Sequence, residues 1–488
     1  MDVCFHDSNM KILYLSAEVS PLAKAGGLAD VAGSLPSALH ALGHDVRVVM
    51  PAYGFIDHTR FALQPILDRV RLSFAGGAGD AAILQGTIGD GTPLYLVDQP
   101  AYFDRDNIYG YDDDAERFLF FCRGALEAAR ALGWRPDVVH GNDWHTGAVP
   151  LWLSTASQSD PLYAETATVH TIHNLAYQGV FPASVWRMTG EQAPTLTATV
   201  NFMALGIRHA DVVTTVSPTY AREILTPDRG EGLEHLLATR HDRLRGILNG
   251  LDTAAFDPAT DSALVQRFDA DHLEARQTNK SALQTEAGLP VGDQFALGMV
   301  SRLASQKGFD ILIAALDRLI PETDAQFVLL GTGDREYANR LRALARQYPQ
   351  QVAVFLSFDS ILAQHIYAGC DAFLMPSRYE PCGLGQLIAL RYGAVPIVRA
   401  TGGLIDTVRD FDEAAGNGFV FRAYDAEAFL GAIHRAHEAY RNPGNWHALQ
   451  QRGMREDFSW DASASQYVAA YAEAIEASHG SAESAPIP

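Results

Sequence analysis

Two runs of strand, glycine loop and helix, one opening each half of the chain, constrain this fold most. The first is the apolar segment Lys11-Ile12-Leu13-Tyr14-Leu15-Ser16, a loop holding Gly26 and Gly27, then helical periodicity over 28–42. The second starts with an apolar run at 295–300, passes a loop ending at Gly308, and continues as a helix over 309–320. Further strands are expected in the first half at 45–50, 94–97, 137–140, 166–172 and 211–216, with a helix over 115–132. In the second half they fall at 326–330, 352–356, 372–375 and 394–398, with a helix over 335–348. Short apolar runs bounded by loops read as buried strands, and strands alternating with helices imply parallel pairing through crossovers. The chain is therefore expected to be α/β, with two doubly wound parallel-sheet domains of Rossmann type facing a deep cleft.

The turn-rich stretch 247–257 is the expected linker. It divides an N-terminal domain, 11–248, from a C-terminal domain, 249–457. A last helix over 462–477 fits either domain on its pattern alone. Residues 1–10 read as a disordered extension and 478–488 as a flexible polar tail. The 488 residues, 48% hydrophobic, suffice for two large cores. Thirty-seven basic against 58 acidic residues give a net charge of −21. That charge argues against nucleic acid or an anionic membrane as the main partner, and it makes cations in glycine loops informative. The four cysteines, Cys4, Cys122, Cys370 and Cys382, form no CxxC pair, and no leader or membrane-spanning run is evident. A reducing, cytoplasmic setting is expected.

Candidate chemistry sits where strands give way to helices, the ligand-binding end of an open α/β sheet. Strand 372–375 is followed by Pro376-Ser377-Arg378-Tyr379-Glu380-Pro381-Cys382-Gly383-Leu384, which places the Glu380 carboxylate beside a helix start. It reads either as a solvated loop acid or as an acceptor of sugar hydroxyls. After 295–300 comes Ser301-Arg302-Leu303-Ala304-Ser305-Gln306-Lys307-Gly308. Here Arg302, as a fork, and Lys307, as a point charge, are placed to reach one diphosphate. Lys24-Ala25-Gly26-Gly27 lets a ligand approach the backbone at a helix start that favours anions; its alternative is an ordinary glycine turn. Gly331-Thr332-Gly333-Asp334 and Thr401-Gly402-Gly403-Leu404 are further strand-to-helix turns, either lining a nucleotide pocket or simple turn chemistry. His140, Asp143 and His145 are read as one loop, without a zinc signature. His170 reads as a satisfied core histidine or one that supports a neighbouring site residue, and His173-Asn174 at a strand end suits hydrogen bonding to a sugar. No metal is expected.

Together these motifs resemble the bacterial glycogen synthase and plant starch synthase family, retaining glycosyltransferases of the two-domain GT-B fold. The likeness runs over about 11–477. It rests on Lys24-Ala25-Gly26-Gly27-Leu28-Ala29-Asp30-Val31, Asp143-Trp144-His145, His173-Asn174-Leu175-Ala176-Tyr177-Gln178-Gly179, Asn249-Gly250-Leu251-Asp252, the 301–308 loop and the 376–384 loop. The resemblance implies transfer of glucose from ADP-glucose to the non-reducing end of an α-1,4-glucan, with no metal or other cofactor. It implies catalytic roles for His173, Asp143, Arg302, Lys307 and Glu380. It implies donor binding by Lys24, Gly26, Gly27, Asp30, Asn174, Asn249, Gly331, Cys382, Gly383, Leu384, Gly402 and Gly403, with Phe358 where the family stacks an aromatic ring on adenine. The last helix, in a segment over 458–477, would cross back to the first domain. Two positions depart from the family: Ala25 and Gly385 stand where it usually has threonine.

Overall fold

The computed structural model describes residues 9–74, 79–156, 160–195, 197–412 and 414–483. The chain divides into two compact units, Met1–Gly250 with Trp460–Pro488, and Leu251–Ser459. The first unit is built on a nine-stranded sheet. Its strands are β1 (Lys11–Leu15), β2 (Asp45–Pro51), β3 (Gln64–Arg71), β4 (Asp80–Ile88), β5 (Thr92–Asp98), β6 (Val138–Asn142), β7 (Ala167–Ile172), β10 (Val212–Thr215) and β11 (Leu244–Gly246). A separate hairpin joins β8 (Val180–Pro182) to β9 (Thr199–Asn201). The second unit holds a six-stranded, all-parallel sheet of β12 (Ala296–Val300), β13 (Gln326–Leu330), β14 (Val352–Phe355), β15 (Ala372–Met375), β16 (Val395–Arg399) and β17 (Phe419–Phe421).

Central strands such as β6, β7, β13 and β15 are buried along their whole length. Helices cover both faces of such a sheet, which is why these strands read as continuous apolar runs. In the second unit the core accordingly forms two clusters, one of them built around Phe309, Leu312 and Leu316 of the helix Phe309–Glu322. The first sheet departs from the all-parallel expectation at one edge, where β4 pairs antiparallel with both β3 and β5. β3 is largely exposed and mixes polar with apolar residues, so it lacks the solid apolar signature of the strands recognised from sequence.

Strand order places the ligand-binding ends. The first sheet runs β11-β10-β7-β6-β1-β2-β5-β4-β3, and the second β14-β13-β12-β15-β16-β17. The direction of travel reverses between β1 and β6, and again between β12 and β15. At such a reversal the two following loops leave to opposite faces and open a crevice beyond the strand ends.

Two terminal expectations need correction. Residues 1–8 lie outside the described residues, but Asn9 and Met10 belong to the fold: Asn9 Oδ1 accepts from the Asp45 N–H (3.0 Å), and Met10 is buried. At the other end the helix Trp460–Glu483 runs six residues beyond 477, and 484–488 lie outside the described residues. This closing helix packs on the helix Gly27–Ala41 and on β7. Tyr471 hydrogen-bonds His140 Nδ1 (2.8 Å), and Glu473 takes Arg245 in two bonds of 3.0 and 2.6 Å. Gly250 is required beside it, since a Cβ there would lie 2.6 Å from Trp460 Cα. Among the described residues no helix is long and apolar enough to cross a membrane.

Tyr471→Phe leaves the fully buried His140 with one ring nitrogen unpaired, which costs about 1–3 kcal/mol. Its denaturation midpoint is expected to fall accordingly; a midpoint equal to wild type would reject the tether.

Candidate active site

In the first unit the loop after β1 carries Glu18 and Lys24 into the reversal crevice. Lys24 is half-exposed and pairs with Asp30 on the first turn of the following helix (2.6 Å). A Cβ on Gly26 or Gly27 would meet nothing within 4 Å, and Gly26 has an extended backbone (φ −147°). Neither packing nor conformation requires glycine there, as expected of backbone left open to a ligand. Glu18 changes the anion argument. Its buried carboxylate accepts the Ala25 N–H (2.6 Å) and the Gly26 N–H (2.8 Å), so those two donors are taken.

The loop after β6 begins with Asp143, whose backbone (φ 52°, ψ −174°) lies in a region that side chains avoid. Such a residue costs on the order of 1–3 kcal/mol and persists only when its neighbours fix it. Here the Asp143 N–H bonds Thr171 O (2.9 Å), and its Oδ1 accepts the backbone N–H of His173 (2.8 Å) and, at 3.5 Å, that of Asn174. Burial pushes the Asp143 carboxyl up to about 7; the two N–H bonds oppose the rise and Glu18 adds to it. His173 is driven down to about 3 by burial and by His170, so it is neutral. Asn142 Nδ2 donates to Leu15 O (2.8 Å), which fixes Asn142 Oδ1 as the acceptor facing His173 Nε2 (2.8 Å). His173 therefore carries its proton on Nε2, leaving Nδ1 as acceptor. Gly179, at φ 61°, is held against the Trp144 ring, where a Cβ would approach to 2.3 Å, and this joins the Asp143-Trp144-His145 motif to the motif that starts at His173.

The second unit's reversal brings the loops after β12 and β15 together. Gly308 (φ 75°) sits where a Cβ would lie 2.0 Å from Pro376 O, and the Arg378 N–H bonds Gln306 O (2.8 Å). Lys307 Nζ consequently donates to both oxygens of Glu380, at 2.9 and 2.7 Å. Ser377 Oγ adds a third bond to Glu380 (3.0 Å). Gly402 and Gly403 press on the same loop: added Cβ atoms would lie 1.9 Å from Glu380 O and 2.2 Å from Cys382 O. Gly383 takes the left-handed conformation (φ 79°). Gly331 packs on Ser301 O, where a Cβ would lie at 1.9 Å, beside Arg302; the Arg302 side chain joins no ion pair among the described residues.

Not every expected residue joins these clusters. Phe358 is 88% exposed beyond β14, and Asn249 is buried with its Oδ1 unpartnered among the described residues. Two histidine readings change. His140 lies within β6, bonded on both ring nitrogens, so it shares no loop with Asp143. His145 is buried against Tyr109, Phe118 and Trp144. His170 is buried with neither ring nitrogen partnered among the described residues, so it is not a satisfied core histidine. Sequence reasoning missed Glu18, Asn142, Tyr109, Ser377 and Arg399. Arg399 is buried and donates from Nε to Ser377 O (2.7 Å), steadying the Glu380 loop. A lone arginine ending the apolar run Val395–Arg399 was the available signal.

Residues 11–239 match the starch synthase catalytic domain and 283–448 match glycosyl transferases group 1. The glycogen synthase of Moorella thermoacetica is 51% identical over 479 residues, covering 96% of this chain and 97% of that protein. That of Desulforudis audaxviator is 48% identical, over 96% and 97% of the two chains. The chain belongs to the glycogen synthase and starch synthase family. A solved relative, the catalytic domain of Arabidopsis thaliana starch synthase IV bound to ADP and acarbose, superposes with a TM-score of 0.89. It is 35% identical and covers 96% of this chain and 100% of its own. A sucrose-phosphate synthase from Thermosynechococcus elongatus, 19% identical with a TM-score of 0.61, shares the fold. As a member of this family the chain is a glycosyltransferase, and its family motifs occupy the loops at both sheet reversals.

Asp143 also shapes the stability of this family member. With its pKa raised to about 7, the folded chain holds a proton that the unfolded chain releases near pH 4. Its contribution is therefore fully present below about pH 4 and is lost as pH rises through about 7. Asp143→Asn is expected to remove that slope. Thermal midpoints measured from pH 4 to 8 are expected to show the variant gaining on wild type as pH rises; parallel curves would exclude the buried acid.

Proposed function

We propose that this chain is a glycogen synthase that transfers glucose, with retention, from ADP-glucose to the non-reducing end of an α-1,4-glucan and releases ADP. Family membership over nearly the whole chain carries the reading. The ADP and acarbose held by the Arabidopsis relative support a nucleoside diphosphate donor and a glucan acceptor here. The buried thiols of Cys122, Cys370 and Cys382 fit a cytoplasmic setting; Cys4 lies outside the described residues.

In this reading the bond from the anomeric carbon to the diphosphate breaks as the acceptor oxygen bonds on the same face. The acceptor proton passes to the departing phosphate oxygen, so no carboxylate nucleophile is required. Arg302 and Lys307 neutralise the leaving diphosphate, as a divalent metal does elsewhere, and the reaction is proposed to need no metal. An ammonium has three donors; Glu380 takes two from Lys307 and leaves one for a phosphate oxygen. Glu380 in turn keeps acceptor capacity for a glucose hydroxyl. His173, being neutral, does not repel the positive charge that grows on the sugar ring. Lys24, Gly27 and Asp30 serve the donor, joined by Asn174 and Asn249. Phe358 offers an exposed ring for the base. Gly385, where the family often has threonine, has little room: a Cβ would lie 3.2 Å from Phe373 and 3.4 Å from Met375 Sδ.

An assay of glycogen with ADP-glucose or UDP-glucose, reading each released diphosphate, tests the proposal. Turnover is expected with ADP-glucose, and glucan binding without turnover of either donor would select an inactive paralogue. Lys307→Ala is expected to lower kcat at least about a hundredfold. Near-wild-type turnover would remove Lys307 from the leaving-group role.

A further inference from the structure

We propose that Glu18 is a positioning residue for this reaction: its buried carboxylate, oriented by Tyr109, holds the Lys24 loop in the shape that receives the donor. The inference rests on the reading of that loop as donor-facing and extends it to two residues outside the family motifs.

Glu18 is 4% exposed and joins no ion pair among the described residues. A buried carboxylate without a cation is costly unless hydrogen bonds compensate it. Three do: the Ala25 and Gly26 N–H groups on Oε2, at 2.6 and 2.8 Å, and the Tyr109 hydroxyl on Oε1, at 2.6 Å. Bonds to an ionised acceptor are short and strong, which suits a tether. The need for one is local. Gly26 and Gly27 have open space where side chains would be, so no side-chain packing of their own fixes the backbone there. The loop is also closed by a tight turn, in which the Ala23 N–H bonds Val19 O (2.9 Å), by the Ser20 N–H on Ala29 O (3.0 Å) and by the Lys24–Asp30 pair (2.6 Å), but Glu18 is what takes the backbone N–H groups of Ala25 and Gly26 themselves.

Tyr109 connects this tether to the other wall of the crevice. Its ring stacks on His145 (4.8 Å, 25°), which lies in the turn that follows Asp143. The Glu18–Tyr109–His145 chain thus ties the loop after β1 to the loop after β6. With Ala25 and Gly26 taken, Gly27 and Leu28 are the first N–H groups of the helix Gly27–Ala41 left to a ligand among the described residues. A carboxylate is also an awkward neighbour for an anionic donor, so its presence is explained by what it holds.

The test uses the full-length protein and two readouts. Steady-state kinetics with ADP-glucose and glycogen separate donor KM, acceptor KM and kcat. Amide hydrogen exchange over 19–30, without substrate, reports the tether directly. Glu18→Ala is expected to raise donor KM at least about tenfold, with a smaller fall in kcat, acceptor KM unchanged, and faster exchange over 19–30. Tyr109→Phe is expected to move donor KM and exchange the same way, about threefold. Glu18→Gln keeps an acceptor for both N–H groups and is expected to restore donor KM and exchange most of the way to wild type. Unchanged donor KM or unchanged exchange in Glu18→Ala overturns the proposal, as does a Gln variant no better than Ala. If Glu18→Ala does not fold, Tyr109→Phe decides by the same two measurements. A wild-type protein that turns over neither ADP-glucose nor UDP-glucose defeats the functional reading instead, while the exchange data still judge the tether.

Discussion

Each of the two large sheets of this protein reverses its strand order once, and the placement of the candidate site residues depends on that constraint. Parallel strands joined by right-handed crossovers put successive helices on one face until the direction of travel changes. At the change, adjacent strands send their loops apart and a crevice opens that no helix fills. The reversal between β1 and β6 gathers Glu18, Lys24 and Asp143, with His173 reached from neighbouring β7. The reversal between β12 and β15 gathers Arg302, Lys307 and Glu380. Two units of unlike sequence thus place charged groups by the same topological device.

Within each crevice the polar groups are fixed before any ligand is considered. Lys307 and Glu380 bond each other in two places, and Ser377 and the buried Arg399 hold the loop from below. A flexible lysine tied at two of its three donors presents the third in a defined direction. The first unit reaches the same end at greater cost. Asp143 combines a disfavoured backbone with a buried carboxyl held near pH 7, and it is over-determined by bonds from β7 and the residues after it. Strain of this kind clusters at functional sites, where the surrounding fold can sustain it.

The buried parallel strands were legible in the sequence because both their faces are covered: Gln326–Leu330 and Ala372–Met375 were bounded to the residue. β3 was not, since an exposed edge strand needs no apolar continuity. The charged residues of the glycine loops were legible because cations are conspicuous in so acidic a chain. Glu18 was not, because one acid among 58 carries no signal of its own until its partners are known.

The sequence by itself determined which loops present candidate groups: Lys24, Asp143, His173, Arg302, Lys307 and Glu380 are each readable beside a strand end. Tertiary structure alone decided who meets whom. Glu18 finds Tyr109 across 91 positions and Lys307 finds Glu380 across 73. The ionisation of Asp143 and His173 follows from burial that no local pattern encodes. The reason is that strand order, rather than strand composition, sets which loops are neighbours, and it emerges only when the whole sheet is assembled.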